Sequence, residues 1–179
     1  MRVGLLLSFI ALVGCGSGSD KYSRGGQALE LLPPELPVTI GLTGDTFSVD
    51  FSGEDADLSF AVDTASFDGP FITGGGWIPG NAGGKAAFGF IAHSTGGHLV
   101  LIDHSVGVRV SGTVISSFTE ACSGQAQFDG TDQSGFGFQV NAADNAEPGA
   151  GRDTFIISGA YSNPGPLLGG GNIQVHGCH

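Results

Sequence analysis

From Val38 onward, apolar and polar residues alternate in short runs separated by turn residues. Val38, Ile40 and Leu42 alternate with Thr39, Gly41 and Thr43; after Gly44-Asp45 the pattern resumes at Phe47, Val49 and Phe51, then at Leu58, Phe60 and Val62. A period of two puts successive side chains on opposite faces, so these runs predict three strands of a meander, each with one buried face. Similar segments follow at Phe71–Ile78, Ala86–Ala92, Gly97–Asp103, Val106–Phe118, Gln125–Phe128, Gly135–Ala142, Thr154–Ala160 and Gly170–His176. None carries a 3.6-residue stripe. About ten strands at this spacing predict an all-β domain, a single antiparallel β-sandwich or barrel, with the sandwich preferred.

Glycine inside the strands qualifies this picture. Phe88-Gly89-Phe90 and Phe136-Gly137-Phe138 each place two aromatic rings on one face and glycine on the other. The expected use is a core filled by phenylalanine, with glycine admitting a bulge or the close approach of another sheet. The functional alternative is a shallow aromatic platform for sugars. Trp77, the only tryptophan, follows Gly74-Gly75-Gly76 and is either a core plug or a ligand platform.

The N-terminus has a different pattern. Arg2 precedes an apolar run from Val3 to Val13. That run is too short for a hydrocarbon core of roughly 30 Å and suits a secretory signal. It ends in Leu12-Val13-Gly14-Cys15, which resembles the bacterial lipobox. The resemblance implies a signal peptide over residues 1–14 and a diacylated Cys15 as the first mature residue; an ordinary signal cleaved near Ser17 or Ser19 is the alternative. Two or more acyl chains anchor a protein stably to a membrane without a transmembrane helix. Gly16 in place of aspartate implies, by resemblance to lipoproteins of double-membraned bacteria, the outer membrane. Residues 15–37 read as a tether: the segment is Gly- and Ser-rich at first, and Pro33, Pro34 and Pro37 prevent a long helix. The β domain then covers residues 38–179.

With Cys15 acylated, Cys122 and Cys178 remain, and an oxidising compartment favours their pairing. Such a bridge closes a loop of about 57 residues and removes on the order of 4 kcal/mol of unfolded-state entropy. The formal charge is −11, and the basic residues beyond the signal are Lys21, Arg24, Lys85, Arg109 and Arg152. No basic stripe exists, so nucleic acid and anionic headgroups are poor partners. The 33 glycines belong to a turn-rich β protein.

Four segments carry a further likeness. Ile72-Thr73-Gly74-Gly75-Gly76-Trp77-Ile78, the run from Gly97 to His104, the run from Asn145 to Phe155, and the run from Leu168 to His176 occur in this order. Together they resemble a glycine-rich β domain of secreted bacterial proteins, often C-terminal to immunoglobulin-like, PKD-like or hyalin-type repeats. The likeness covers about residues 70–177 and implies an extracellular accessory or surface module rather than a catalyst.

Candidate chemistry is sparse. On an extended strand His98, Val100, Ile102 and His104 share one face and Asp103 takes the other, which argues against a direct Asp103–His104 dyad. A zinc site needs three or four converging side chains; His104 with His176 would contribute only if their strands pair. Calcium is the better metal candidate, through Asp129, Asp132, Asp144, Glu147 and Asp153 in or beside loops, although no twelve-residue calcium loop is present. Arg152 is expected to pair with a carboxylate such as Glu147 and fix the hairpin, or else to bind an acidic ligand. No G-x-S-x-G elbow or phosphate-binding glycine loop occurs. The sequence therefore predicts a non-catalytic envelope domain for adhesion, matrix or envelope interaction, with an unknown protein or glycan partner. A carbohydrate-binding accessory module or glycan-active hydrolase is the alternative.

Overall fold

A computed structural model describes residues 38–51, 53–112, 114–119, 122–163 and 167–178. The expected signal peptide, the lipidated Cys15 and the tether lie outside the described residues. Strands β1 (Val38–Thr43), β2 (Thr46–Phe51) and β3 (Phe60–Asp63) form the first sheet, in the order β1-β2-β3. The central sheet contains β4 (Phe71–Pro79), β5 (Lys85–His93), β6 (Gly96–Asp103), β7 (Val108–Gly112) and β12 (Gly170–His176), in the order β12-β4-β5-β6-β7. The third sheet runs β11-β10-β9-β8, built from β8 (Val114–Thr119), β9 (Gln125–Thr131), β10 (Gly137–Ala143) and β11 (Thr154–Gly159). All pairings are antiparallel, and the sheets are not closed into a barrel.

The three sheets stack as layers, so the central one is buried on both faces. In β5, Phe88 and Phe90 point to the third sheet and pack with Phe128, Val140, Phe155 and Ile157. Ala87 and Ile91 point the other way, to Phe47, Val49 and Phe51 of β2. Double-sided burial explains why this strand is apolar almost throughout instead of alternating. The third-sheet side is dominated by rings: Phe88 and Phe155 stack at 4.0 Å between centroids, and Phe90 lies 5.3 Å from Phe128.

The first-sheet side depends on missing side chains. A β-carbon on Gly89 would overlap Val49, and one on Gly75 would overlap Ile40. Glycine lets β1 and β2 settle against the backbone of β4 and β5. This is the close approach expected of Phe88-Gly89-Phe90. The second such triplet divides: Phe138 is buried in β10, while Phe136 precedes the strand and is 66% exposed in a turn.

Two boundaries differ from the sequence reading. The expected single strand Val106–Phe118 is two strands, β7 paired with β6 and β8 paired with β9, because the chain crosses from the central to the third sheet. Leu58 lies in a 3-10 helix, Gly53–Leu58, rather than in a strand. Ser59 ends it by accepting from Phe51 N (2.8 Å) and donating to Phe51 O (3.1 Å). Cys122 and Cys178 are joined, with Cα atoms 5.5 Å apart, tying the β8–β9 turn to the end of β12. Among the described residues no helix is long and apolar enough to cross a membrane.

Candidate functional site

Register places Gly170 beside Trp77, Asn172 beside Gly75, Gln174 beside Thr73 and His176 beside Phe71. Partners in register share a face, so β12 extends the face that the first sheet covers. The core beneath the first sheet has members on β4, β5 and β6 and none on β12. The result is a ledge. An open groove of about 610 Å³ follows it, with β1 as its wall and Thr73, Gly75, Trp77, Gly170, Asn172 and Gln174 on its floor.

Among the described residues, the groove's one ionisable side chain is Lys85. Its Nζ sits 4.5 Å from the centroid of the Trp77 ring, and that ring also lies against Gly169 and Gly170. Trp77 is therefore half-buried, packed against its own chain, and lines the groove. Phe88, Phe90 and Phe138 lie in one core.

The loop from 144 to 153 clamps the far edge of β12. Asp153, fully buried, accepts from Ile173 N (2.9 Å) with one oxygen and from Asn145 N (2.8 Å) and Ala146 N (3.3 Å) with the other. Asp144 accepts from Val175 N at 3.3 Å. Glu147 accepts from Asn172 Nδ2 (2.9 Å) and Gln174 Nε2 (3.0 Å), which lowers its carboxyl pKa. The expected Arg152–Glu147 ion pair is not formed, because Glu147 turns to these amides and Arg152 is exposed.

The remaining acids named from sequence are apart from this clamp. Asp129 lies in β9 and accepts from Ser117 Oγ (2.6 Å) and Gln139 Nε2 (2.9 Å). Asp132 closes the β9–β10 turn by accepting from Ser134 N and Phe136 N. Among the described residues, no three His, Cys, Asp or Glu side chains are grouped to hold a metal ion. His104 and His176 do not converge, since β4 and β5 separate their strands.

Opposite facing of Asp103 and His104 is observed. Fully buried Asp103 accepts from Ser105 Oγ (2.5 Å), Tyr161 Oη (2.7 Å) and Asn81 N (2.9 Å). Burial raises its pKa, but these hydrogen bonds outweigh it and hold the carboxyl below its usual range. Burial and the neighbouring carboxylate push Tyr161 up to about 12. His104 instead reaches Asp55 at 2.8 Å on the first-sheet side, where Asp55 also pairs with Arg109. Ser105 and Asp103 thus bond directly, with no imidazole between them.

Three other histidines stack on phenylalanines: His93 on Phe67 (3.8 Å), His98 on Phe60 (4.1 Å) and His176 on Phe71 (4.6 Å). Burial lowers the pKa of each, with Asp144 opposing the shift at His176. Sequence reasoning missed Asp55, Tyr161 and the ledge itself. Asp55 left no local signal, because Arg109 is partly exposed and the chain offers 17 acidic residues as partners. The chain matches no family model, no curated protein and no solved structure.

Proposed function

We propose that this chain is an exported lipoprotein, anchored through Cys15 in the cell envelope, whose β domain binds a partner without catalysis. It serves adhesion, matrix or envelope interaction, with the ledge beside β1 as its binding surface. The observation that supports this reading is the make-up of the groove among the described residues: backbone, amides, threonine and an indole, with Lys85 as the single ionisable group. Such a lining offers hydrogen bonds and apolar contact but no acid–base pair. The test is binding of the full chain, purified in detergent, to immobilised envelope fragments. Saturable binding that is lost in Gln174→Trp, which fills the exposed floor, is expected; absence of saturable binding would overturn the reading. The anchor is tested separately by incorporation of labelled fatty acid, which Cys15→Ser abolishes.

A glycan-binding role is the second reading, favoured by the occurrence of Trp77, Asn172 and Gln174 in one groove. Carbohydrate sites combine aromatic and amide groups in this way. Binding to particular glycans on an array, reduced by Trp77→Ala, would favour it over a protein partner.

A further inference from the structure

The strand edges of this domain are not treated alike. On β12, Asp153 and Asp144 cap the outward N–H groups of Ile173 and Val175. On β7, Gln133 accepts from Ser111 N (2.6 Å) and donates its own N–H to Ser111 O (2.9 Å). Proteins ordinarily cover edges in this way, because an open row of N–H and C=O groups is a template for another strand. The outer edge of β1 has no such cover among the described residues. Its hairpin turn settles which groups are open. Thr43 and Thr46 flank a two-residue turn, Gly44-Asp45, with Gly44 at φ 59°. In a two-residue hairpin the flanking residues form a hydrogen-bonded pair, and such pairs alternate with non-bonded ones. Gly41 and Thr39 therefore turn toward β2, while Val38, Ile40 and Leu42 direct their main-chain groups outward.

Those groups face the ledge. Strands in a sheet lie about 4.8 Å apart and stacked sheets about 10 Å apart. A strand added at β1 would continue the first sheet across β12, above Gly170, Asn172 and Gln174. We propose that the ledge takes an extended, neutral to basic segment of a partner protein as a fourth strand of the first sheet. This rests on the reading of the domain as a binding module and names its partner class. Main-chain bonds to Val38, Ile40 and Leu42 give the affinity, and alternate side chains of the segment meet the Asn172 and Gln174 amides. Charge decides against two other occupants. The chain carries −11, and at β12 the carboxylates of Glu147 and Asp144 outnumber Lys85, whose charge its contact with Trp77 leaves in place. An acidic segment, or a second copy of this chain, meets repulsion there.

The test uses the full chain in detergent and a nine-residue peptide of alternating threonine and valine with lysine at each end. An otherwise identical peptide with glutamate ends is the control. The lysine peptide should slow amide exchange at Ile40 and Leu42 at least ten-fold and bind at least ten-fold more tightly than the glutamate peptide. Leu42→Pro removes an outward N–H at an edge position where proline is tolerated, and should abolish binding with an unchanged near-ultraviolet spectrum. Leu42→Ala, which keeps the N–H, should retain it. Equal binding by Leu42→Pro, or protection of other strands, overturns the proposal; so does concentration-dependent protection of Ile40 and Leu42 without peptide, which would indicate a second copy. If neither peptide binds while envelope or glycan binding persists and is lost in Gln174→Trp, strand addition fails and the binding-module reading stands.

Discussion

The central sheet presents two faces to two neighbours, and they are held in different ways. Toward the third sheet the contact is made by large rings, Phe88, Phe90, Phe128 and Phe155, and the layers are also joined by Cys122–Cys178. Toward the first sheet, glycine lets aliphatic side chains sit on bare backbone, and polar contacts surround the core: the Asp55–Arg109–His104 cluster and the stacks of His93 and His98. The first arrangement derives its strength from buried apolar area. The second is smaller and is sensitive to shape and to protonation. It is also the side on which the first sheet stops short and leaves β12 uncovered.

Substitutions should separate these two faces. Phe90→Ala should destabilise the domain by about 3–5 kcal/mol, the cost of a large cavity in a ring-packed core; equilibrium denaturation measures it. Replacing Cys122 and Cys178 together with alanine should cost about 4 kcal/mol by the chain-entropy estimate for a loop of this size, read as a lower midpoint in the same experiment under non-reducing conditions. On the opposite face, Gly89→Ala should cost about 1–3 kcal/mol, because the new methyl overlaps Val49. Exchange at amides of β1 and β2 should quicken more than at β9 and β10, and uniform quickening would contradict the distinction.

Acid should act on the first-sheet side as well. Burial lowers the folded-state pKa of His93, His98 and His176 below the unfolded value near 6.5. The unfolded chain then binds more protons than the folded one just below that pH. The stability contributed by these neutral rings is complete above about pH 6.5 and declines as the pH falls through and below it. A melting series from pH 8 to pH 5 should show the decline, and His98→Phe should flatten it. The smallest effect belongs to Lys85→Ala, which removes a half-buried cation–π contact of about 0.5–1 kcal/mol. It should shift the fluorescence of Trp77 more than the melting point.

Much of the scaffold was legible in the residues. Alternation located most strands, since a half-buried strand must repeat every second residue. The paired phenylalanines of β5 implied a core face, and the even remainder of cysteines implied the bridge now seen between Cys122 and Cys178. The same alternation placed Asp103 and His104 on opposite faces. It failed at Val106–Phe118, because a change of sheet within a run leaves the period intact. It also failed at Phe136, where the strand began one residue later.

The sequence by itself determined an all-β chain, because side-chain periodicity is a local property of the extended backbone. Only the tertiary structure decided what the loop acids do. Asp144, Glu147 and Asp153 each accept a hydrogen bond from an N–H or amide of β12, a strand about twenty to thirty residues away. The ledge was equally unreadable. It exists because β1 packs above β4 rather than β12, and such an offset arises from the stacking of whole sheets, for which no short run of residues carries a signal.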